Sequence, residues 1–262
     1  MDLGHQGKRV LVTGSSKGIG YSVALSFAQQ GAHVILNGRD AALLEKAAQQ
    51  IAQQTSDEPE IVLADLSNPD GVSSLVKKAG HVDILVNNAG AIPSGDLASV
   101  DDATWRRAWD LKVFGYIDMI RHVLPPMQAR RSGVIVNIIG MAGRAPRADY
   151  ICGSMGNAAL ICFTQAMGGS TPEHGVRLYG VNPSPTRSDR IETIMRAQSQ
   201  RLLGDPDQWF DLTQKLAFGR LAEPEEVADL VVFTASKRCS YLSGTVIDID
   251  GGMIYRDTKA SH

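Results

Sequence analysis

The segment Thr13-Gly14-Ser15-Ser16-Lys17-Gly18-Ile19-Gly20 constrains this chain more than any other. It directly follows the apolar run Val10-Leu11-Val12 and opens an amphipathic stretch, residues 19–30, that stops at Gly31. Glycines in such a turn let the backbone bend sharply and come close to a pyrophosphate. The helix behind it offers unpaired N–H groups and the positive end of its dipole. A tight strand-to-helix turn with no ligand is the competing account, and a strand before and a helix after speak against it.

The same alternation runs to the end of the chain. Short apolar runs predict strands at 33–36, 61–63, 84–86, 134–138, 176–180 and 245–249. Helices are expected over 41–54, 69–80, 101–130 and 149–167, with a last one opening at Pro224. Residues 188–214 are polar, partly helical and the least regular part. Strands that are apolar throughout imply a parallel sheet covered on both faces. The expectation is an α/β, doubly wound Rossmann-type fold of about seven strands. With no linker or repeat, residues 1–262 read as one domain, with a cofactor half over about 1–140 and a substrate lid over about 189–216.

A formal charge of −2 gives no electrostatic case for nucleic acid or an anionic membrane. No apolar run approaches the roughly 18 residues of a membrane span, and the first residues lack the basic and apolar regions of a leader. Cys152, Cys162 and Cys239 show no ligand spacing, so reduced thiols, no metal and a cytoplasmic setting are expected.

The spacing T-G-x-x-x-G-x-G resembles the short-chain dehydrogenase/reductase family, and other segments carry the same resemblance in the same order. Asn87-Asn88-Ala89-Gly90 is similar to its N-N-A-G, and Ala64-Asp65-Leu66 to its adenine-side D-L. Pro224 to Ala228 and Ser243-Gly244 through Gly252 are similar to its C-terminal signature. The resemblance implies that Thr13, Gly14, Ser16, Lys17, Gly18, Ile19, Gly20, Asp65, Leu66, Asn88, Ala89 and Gly90 bind a nicotinamide dinucleotide. Pro183 and Ser188 would follow on the nicotinamide side. Members using NAD carry an acid at the end of the second strand, where this chain reads Leu36-Asn37-Gly38-Arg39 before Asp40. Arg39 and Lys17 suit a 2′-phosphate, which favours NADP(H) over NAD(H). If both are only solvated surface charges, either cofactor binds.

At the catalytic positions the resemblance breaks. The family uses a Tyr as acid/base, a Ser to hold the reacting oxygen, a Lys to lower the tyrosine pKa and an Asn in a proton relay. A free Tyr has a pKa of about 10, so bringing it to ~7 takes roughly 4 kcal/mol of phenolate stabilisation. In Gly153-Ser154-Met155-Gly156-Asn157, Gly153 stands in the Tyr place and Asn157 in the Lys place. Gly140 stands for the Ser and Lys112 for the Asn. The ammonium and the amide have traded positions, so Lys112 is expected to reach the ribose with Asn157 as its hydrogen-bond partner. Alternatively, Lys112 snorkels to solvent and Asn157 only packs. Tyr150, one turn before Gly153, is the candidate to fill the space the glycines leave, although a Tyr at a helix start more often packs its ring. Ser154, Cys152 and Ser94 are weaker candidates. Tyr255 and Lys259 form a Y-x-x-x-K in the tail, read as chance.

Arg190, Arg196 and Arg201 read as solvated helix-face charges rather than contacts for an anionic substrate. The expected activity is NADP(H)-dependent hydride transfer between the nicotinamide and a carbonyl or secondary alcohol through a rearranged site. The alternatives are a non-catalytic or weakly active dinucleotide-binding protein, as sensor or structural subunit, and an elimination without hydride transfer. The resemblance also implies a homo-tetramer or homo-dimer through residues 101–130, 149–167 and 245–255.

Overall fold

The computed structural model describes residues 2–256, so Lys259 of the tail motif lies outside the described residues. Seven parallel strands form one sheet in the order β3-β2-β1-β4-β5-β6-β7. They are β1 (Arg9–Thr13), β2 (His33–Gly38), β3 (Glu60–Leu63), β4 (Ile84–Asn87), β5 (Gly133–Ile138), β6 (Val176–Pro183) and β7 (Val246–Ile249). The helices are α1 (Gly18–Gln29), α2 (Ala41–Gln54), α3 (Pro69–Ala79), α4 (Asp102–Trp109), α5 (Gly115–Ala129), α6 (Ile151–Ser170), α7 (Asp189–Leu203), α8 (Trp209–Thr213) and α9 (Pro224–Ala235).

Each strand divides its side chains between two cores because successive residues face opposite ways. Val10, Val12, Val34, Leu36, Val86 and Val136 face α1, α2 and α9. Leu11, Ile35, Leu85 and Ile135 face the other layer, with α3, α5 and the Phe163 and Met167 end of α6. Burial on both faces explains why the strands read as unbroken apolar runs. The strand order reverses between β1 and β4, and ligands of open α/β sheets bind beyond the carboxyl ends of strands at such a point.

Two elements differ from expectation. The helix expected over 101–130 is α4 and α5 joined by a π-helical turn, Asp110–Phe114, in which the Gly115 N–H bonds the Asp110 carbonyl. Gly115 lies against the loop before α3, where a Cβ would stand 2.9 Å from the Leu66 carbonyl oxygen. The stretch from residue 188 is more regular than its polarity suggested. Ser188 caps α7, accepting from the Ile191 N–H, Asp189 and Glu192 favour its first turn, and Gly204 closes it at φ 79°. Only a narrow stripe is apolar: Ile191 and Met195 pack with Trp209, Leu212 and Leu221. No helix among the described residues is long and apolar enough to cross a membrane, and they contain no cluster of metal-ligating side chains. Cys152, Cys162 and Cys239 are free thiols.

Candidate active site

The ends of β1 and β4 are tied together by side chains whose place in the turn motifs now has a mechanical explanation. The Thr13 hydroxyl accepts from the Asn88 and Ala89 N–H groups at 2.9 and 3.1 Å. The Asn88 amide donates to the Thr13 and Gly14 carbonyls at 3.1 and 3.0 Å. A Cβ at Gly14 would lie 2.8 Å from Ala89 Cα, and one at Gly20 would lie 2.3 Å from the Gly14 carbonyl oxygen. Only bare backbone lets the two loops meet. Gly18, at φ 58°, faces open space at the start of α1. A cavity of about 480 Å³ results, bordered by Gly14, Ser16, Lys17, Gly18, Ile19, Arg39, Leu66, Asn88, Ala89, Gly90 and Ser188. An uncluttered helix N-terminus at its floor fits the pyrophosphate of a dinucleotide. Asp65 and Pro183 are not part of this lining. Asp65 accepts from the Ser67 N–H, and Pro183 ends β6 in register with Ile249 of β7.

Asp40, the first acid after β2, is committed elsewhere: its carboxylate caps α2 by accepting from the Leu43 N–H. Arg39 and Lys17 both border the cavity. Arg39 lies 3.6 Å from Asp65 and Lys17 lies 3.3 Å from Asp189. Both pairs are largely solvent-exposed, and such pairs contribute only about 0–1 kcal/mol.

Lys112, Gly140, Tyr150, Gly153 and Asn157 are not part of the cavity lining, although Lys112 lies against Gly90, which is. Tyr150 precedes the first turn of α6, and its ring lies across Gly153. A Cβ there would be 2.1 Å from Tyr150 Cε1 and 2.7 Å from its hydroxyl oxygen. Burial pushes the Tyr150 pKa up, while the Arg190 charge favours its phenolate. Gly140, in the Ser place, has φ 136°, a backbone L side chains rarely adopt, and a Cβ would lie 2.9 Å from Asn157 Nδ2. Asn157 is buried, and its Oδ1 has no hydrogen-bond partner among the described residues.

Lys112 sits in the π-helical turn, with its stem over Gly90, where a Cβ would meet Lys112 Cδ at 2.7 Å. Its ammonium donates to the Ile138 and Ile139 carbonyls at 3.1 and 3.0 Å and stands 5.4 Å from the centre of the Tyr116 ring. Burial, followed by repulsion from Arg190, lowers its pKa to about 8. Lys112 therefore turns inward rather than to solvent. The expected hydrogen bond to Asn157 does not form, because the carbonyls at the end of β5 take the ammonium instead. Tyr116, whose hydroxyl donates to the Ile138 carbonyl at 2.9 Å, supports the same group.

Two of the weaker candidates have structural roles, and Ser94 makes no side-chain hydrogen bond among the described residues. Ser154 exchanges hydrogen bonds with the Arg147 backbone, and Cys152 is buried among Ile92, Val100 and Ala108. Arg196 behaves as a helix-face charge, paired with Glu192 and Asp207. Arg190 does not: it borders the cavity and donates to the Ile92 carbonyl. Its sequence position on a polar helix carries no signal of this, since the direction of α7 decides it.

The family model described as short chain dehydrogenase matches residues 8–199. An uncharacterized oxidoreductase of Bacillus subtilis is 35% identical, covering 97% of this chain and 99% of its own. A 2-keto-3-deoxy-L-fuconate dehydrogenase of Xanthomonas campestris is 33% identical over 94% of this chain and 80% of its own. The structure of L-sorbose reductase from Gluconobacter frateurii, complexed with NADPH and L-sorbose, superposes with a TM-score of 0.91 at 29% identity, covering 98% of this chain and 100% of that one. With a glycine turn, a strand order and a cleft of this kind, the chain belongs to the short chain dehydrogenase family of oxidoreductases.

Proposed function

We propose that this protein is an NADP(H)-dependent oxidoreductase acting on a carbonyl or secondary alcohol, with Tyr150 as its acid/base group and Lys112 and Asn157 completing the site. The observation that carries this is the Tyr150 ring lying in the space left by Gly153. The cofactor supplies or accepts the hydride when bound. The glycine turn and Asn88, Ala89 and Gly90 hold its pyrophosphate side, and Arg39 and Lys17 the 2′-phosphate. The NADPH in the L-sorbose reductase complex supports that choice. Asn157 Oδ1, buried without a donor, accepts from a ribose hydroxyl. Lys112, anchored on the β5 carbonyls, places a positive charge beside it. The Tyr150 hydroxyl donates its proton to the carbonyl oxygen in reduction and recovers it in oxidation. Ser188 and the 189–216 lid close the nicotinamide side, and the working form is a homo-dimer or homo-tetramer.

Tyr150→Phe should lower kcat by about 10²–10⁴-fold, the usual worth of general acid/base catalysis, with NADPH affinity retained. Gly153→Ala should do the same by displacing the ring. Unchanged turnover in Tyr150→Phe sinks the assignment. A second reading, binding without turnover, is favoured by Gly140, whose backbone leaves no hydroxyl where the family carries one. NADPH binding with no turnover across a carbonyl and alcohol panel would establish it.

A further inference from the structure

Two cations, Arg190 and Lys112, lie near one another beside the cavity. Arg190, on the first turn of α7, crosses the cleft to donate to the Ile92 carbonyl and borders the cavity. Lys112 lies behind Gly90 of the cavity lining and donates to the Ile138 and Ile139 carbonyls. The two are close enough for Arg190 to repel the ammonium, and Arg190 also bears on the Tyr150 hydroxyl. Neither has a carboxylate partner among the described residues. Of the acids near them in the chain, Asp189 pairs with Lys17, Asp149 with Arg147 and Glu192 with Arg196, while Asp110, on the π-helical turn with Lys112, forms no ion pair with either cation. Behind them the Tyr150 ring packs on a buried apolar cluster of Ile92, Val100, Ala108 and Cys152. Two like charges held together against neutral carbonyls raise the energy of the empty site and lower it when an anion enters.

We infer that the substrate carries a carboxylate close to its reacting carbon, bound by Arg190 with Lys112 behind it. Arg190 bears on the Tyr150 hydroxyl, so an anion on the guanidinium lies near the phenol. Guanidinium and carboxylate match as bidentate partners. The inference rests on the assignment of this cleft as the hydride-transfer site. In the reducing direction an oxo acid becomes a hydroxy acid. The carbon gains a C–H bond from the hydride of the reduced nicotinamide, the C=O π bond breaks, and its oxygen takes the Tyr150 proton. Solvent then returns a proton to the phenolate, and the cofactor leaves oxidised.

The test compares pyruvate and acetoacetate with their methyl esters on the NADPH-loaded protein, by turnover and by calorimetric binding, in the wild type, Arg190→Gln and Arg190→Lys. An acid should be preferred over its ester by about tenfold or more, the worth of a charge-assisted hydrogen bond. That ratio should collapse in Arg190→Gln and survive in part in Arg190→Lys. Equal handling of acid and ester overturns the inference. So does an unchanged ratio in Arg190→Gln with weaker NADPH binding, which would assign Arg190 to the cofactor. Turnover of esters alone overturns it while leaving the oxidoreductase assignment intact. Arg190-dependent binding of the acids without turnover upholds the anion site and removes the hydride-transfer assignment. Absence of binding by either class overturns the inference.

Discussion

Residue by residue, the proposed site keeps chemical groups while moving the positions that supply them. The phenol comes from Tyr150 rather than position 153, and the ammonium from Lys112 rather than position 157. The sequence suggests an exchange of Lys and Asn but carries nothing about its geometry. The Lys112 ammonium has two carbonyls within 3.1 Å, and no sequence rule ranks those against the Asn157 amide. Its lowered pKa, near 8, has a measurable consequence. An unfolded Lys has a pKa near 10.4, so between about pH 8 and 10.4 the unfolded chain holds a proton that the folded chain has released. Stability attributable to this group rises with pH through that window, because the folded state no longer holds a desolvated charge. Urea titrations from pH 7 to 10 should show that rise in the wild type and a flatter profile in Lys112→Met. Identical slopes would place the ammonium in a more aqueous setting.

Among the secondary-structure elements, the termini and interruptions of helices put the groups in place. The π-helical turn at Asp110–Phe114 gives the α4–α5 rod one widened turn, and π turns of this kind often accompany functional sites. A hydrophobic pattern over residues 101–130 reads as one helix because the backbone stays helical through the junctions at Asp110 and Gly115. The start of α7 was equally hidden, since its polarity resembles that of a loop. Its cap is the decisive local feature: the Ser188 hydroxyl accepts from the Ile191 N–H at 3.2 Å. Ser188→Ala should destabilise α7 by about 1 kcal/mol and speed amide exchange across residues 189–203, leaving the sheet unaffected. If Arg190 depends on that cap for its aim, the same variant also loses part of the discrimination between acids and esters. Exchange rates unchanged along α7 would mean that packing of Met195 and Trp209 holds the helix without its cap.

In the molecule as a whole, the cleft lies where the strand order reverses, between β1 and β4, and its walls come from segments distant in the chain. A ligand bridging them stabilises the fold by mass action. NADPH at about a hundred times its Kd should add roughly 2.7 kcal/mol, or about 5–10 °C in Tm for a protein of this size. NADH at equal concentration should give a smaller shift, and Arg39→Gln should narrow the difference between the two. Equal shifts from both cofactors would show that Arg39 and Lys17 do not read the 2′-phosphate. Local sequence was enough to specify the parallel sheet, the helices on its two faces and the phosphate turn, because apolar runs, glycine spacing and caps act over a few residues. Packing between remote elements settled the rest: Tyr150 covers Gly153, Lys112 bonds the β5 carbonyls and Arg190 turns into the cleft. Those outcomes depend on which backbone lies within a few ångströms across elements tens of residues apart, and local propensities carry no information about that distance.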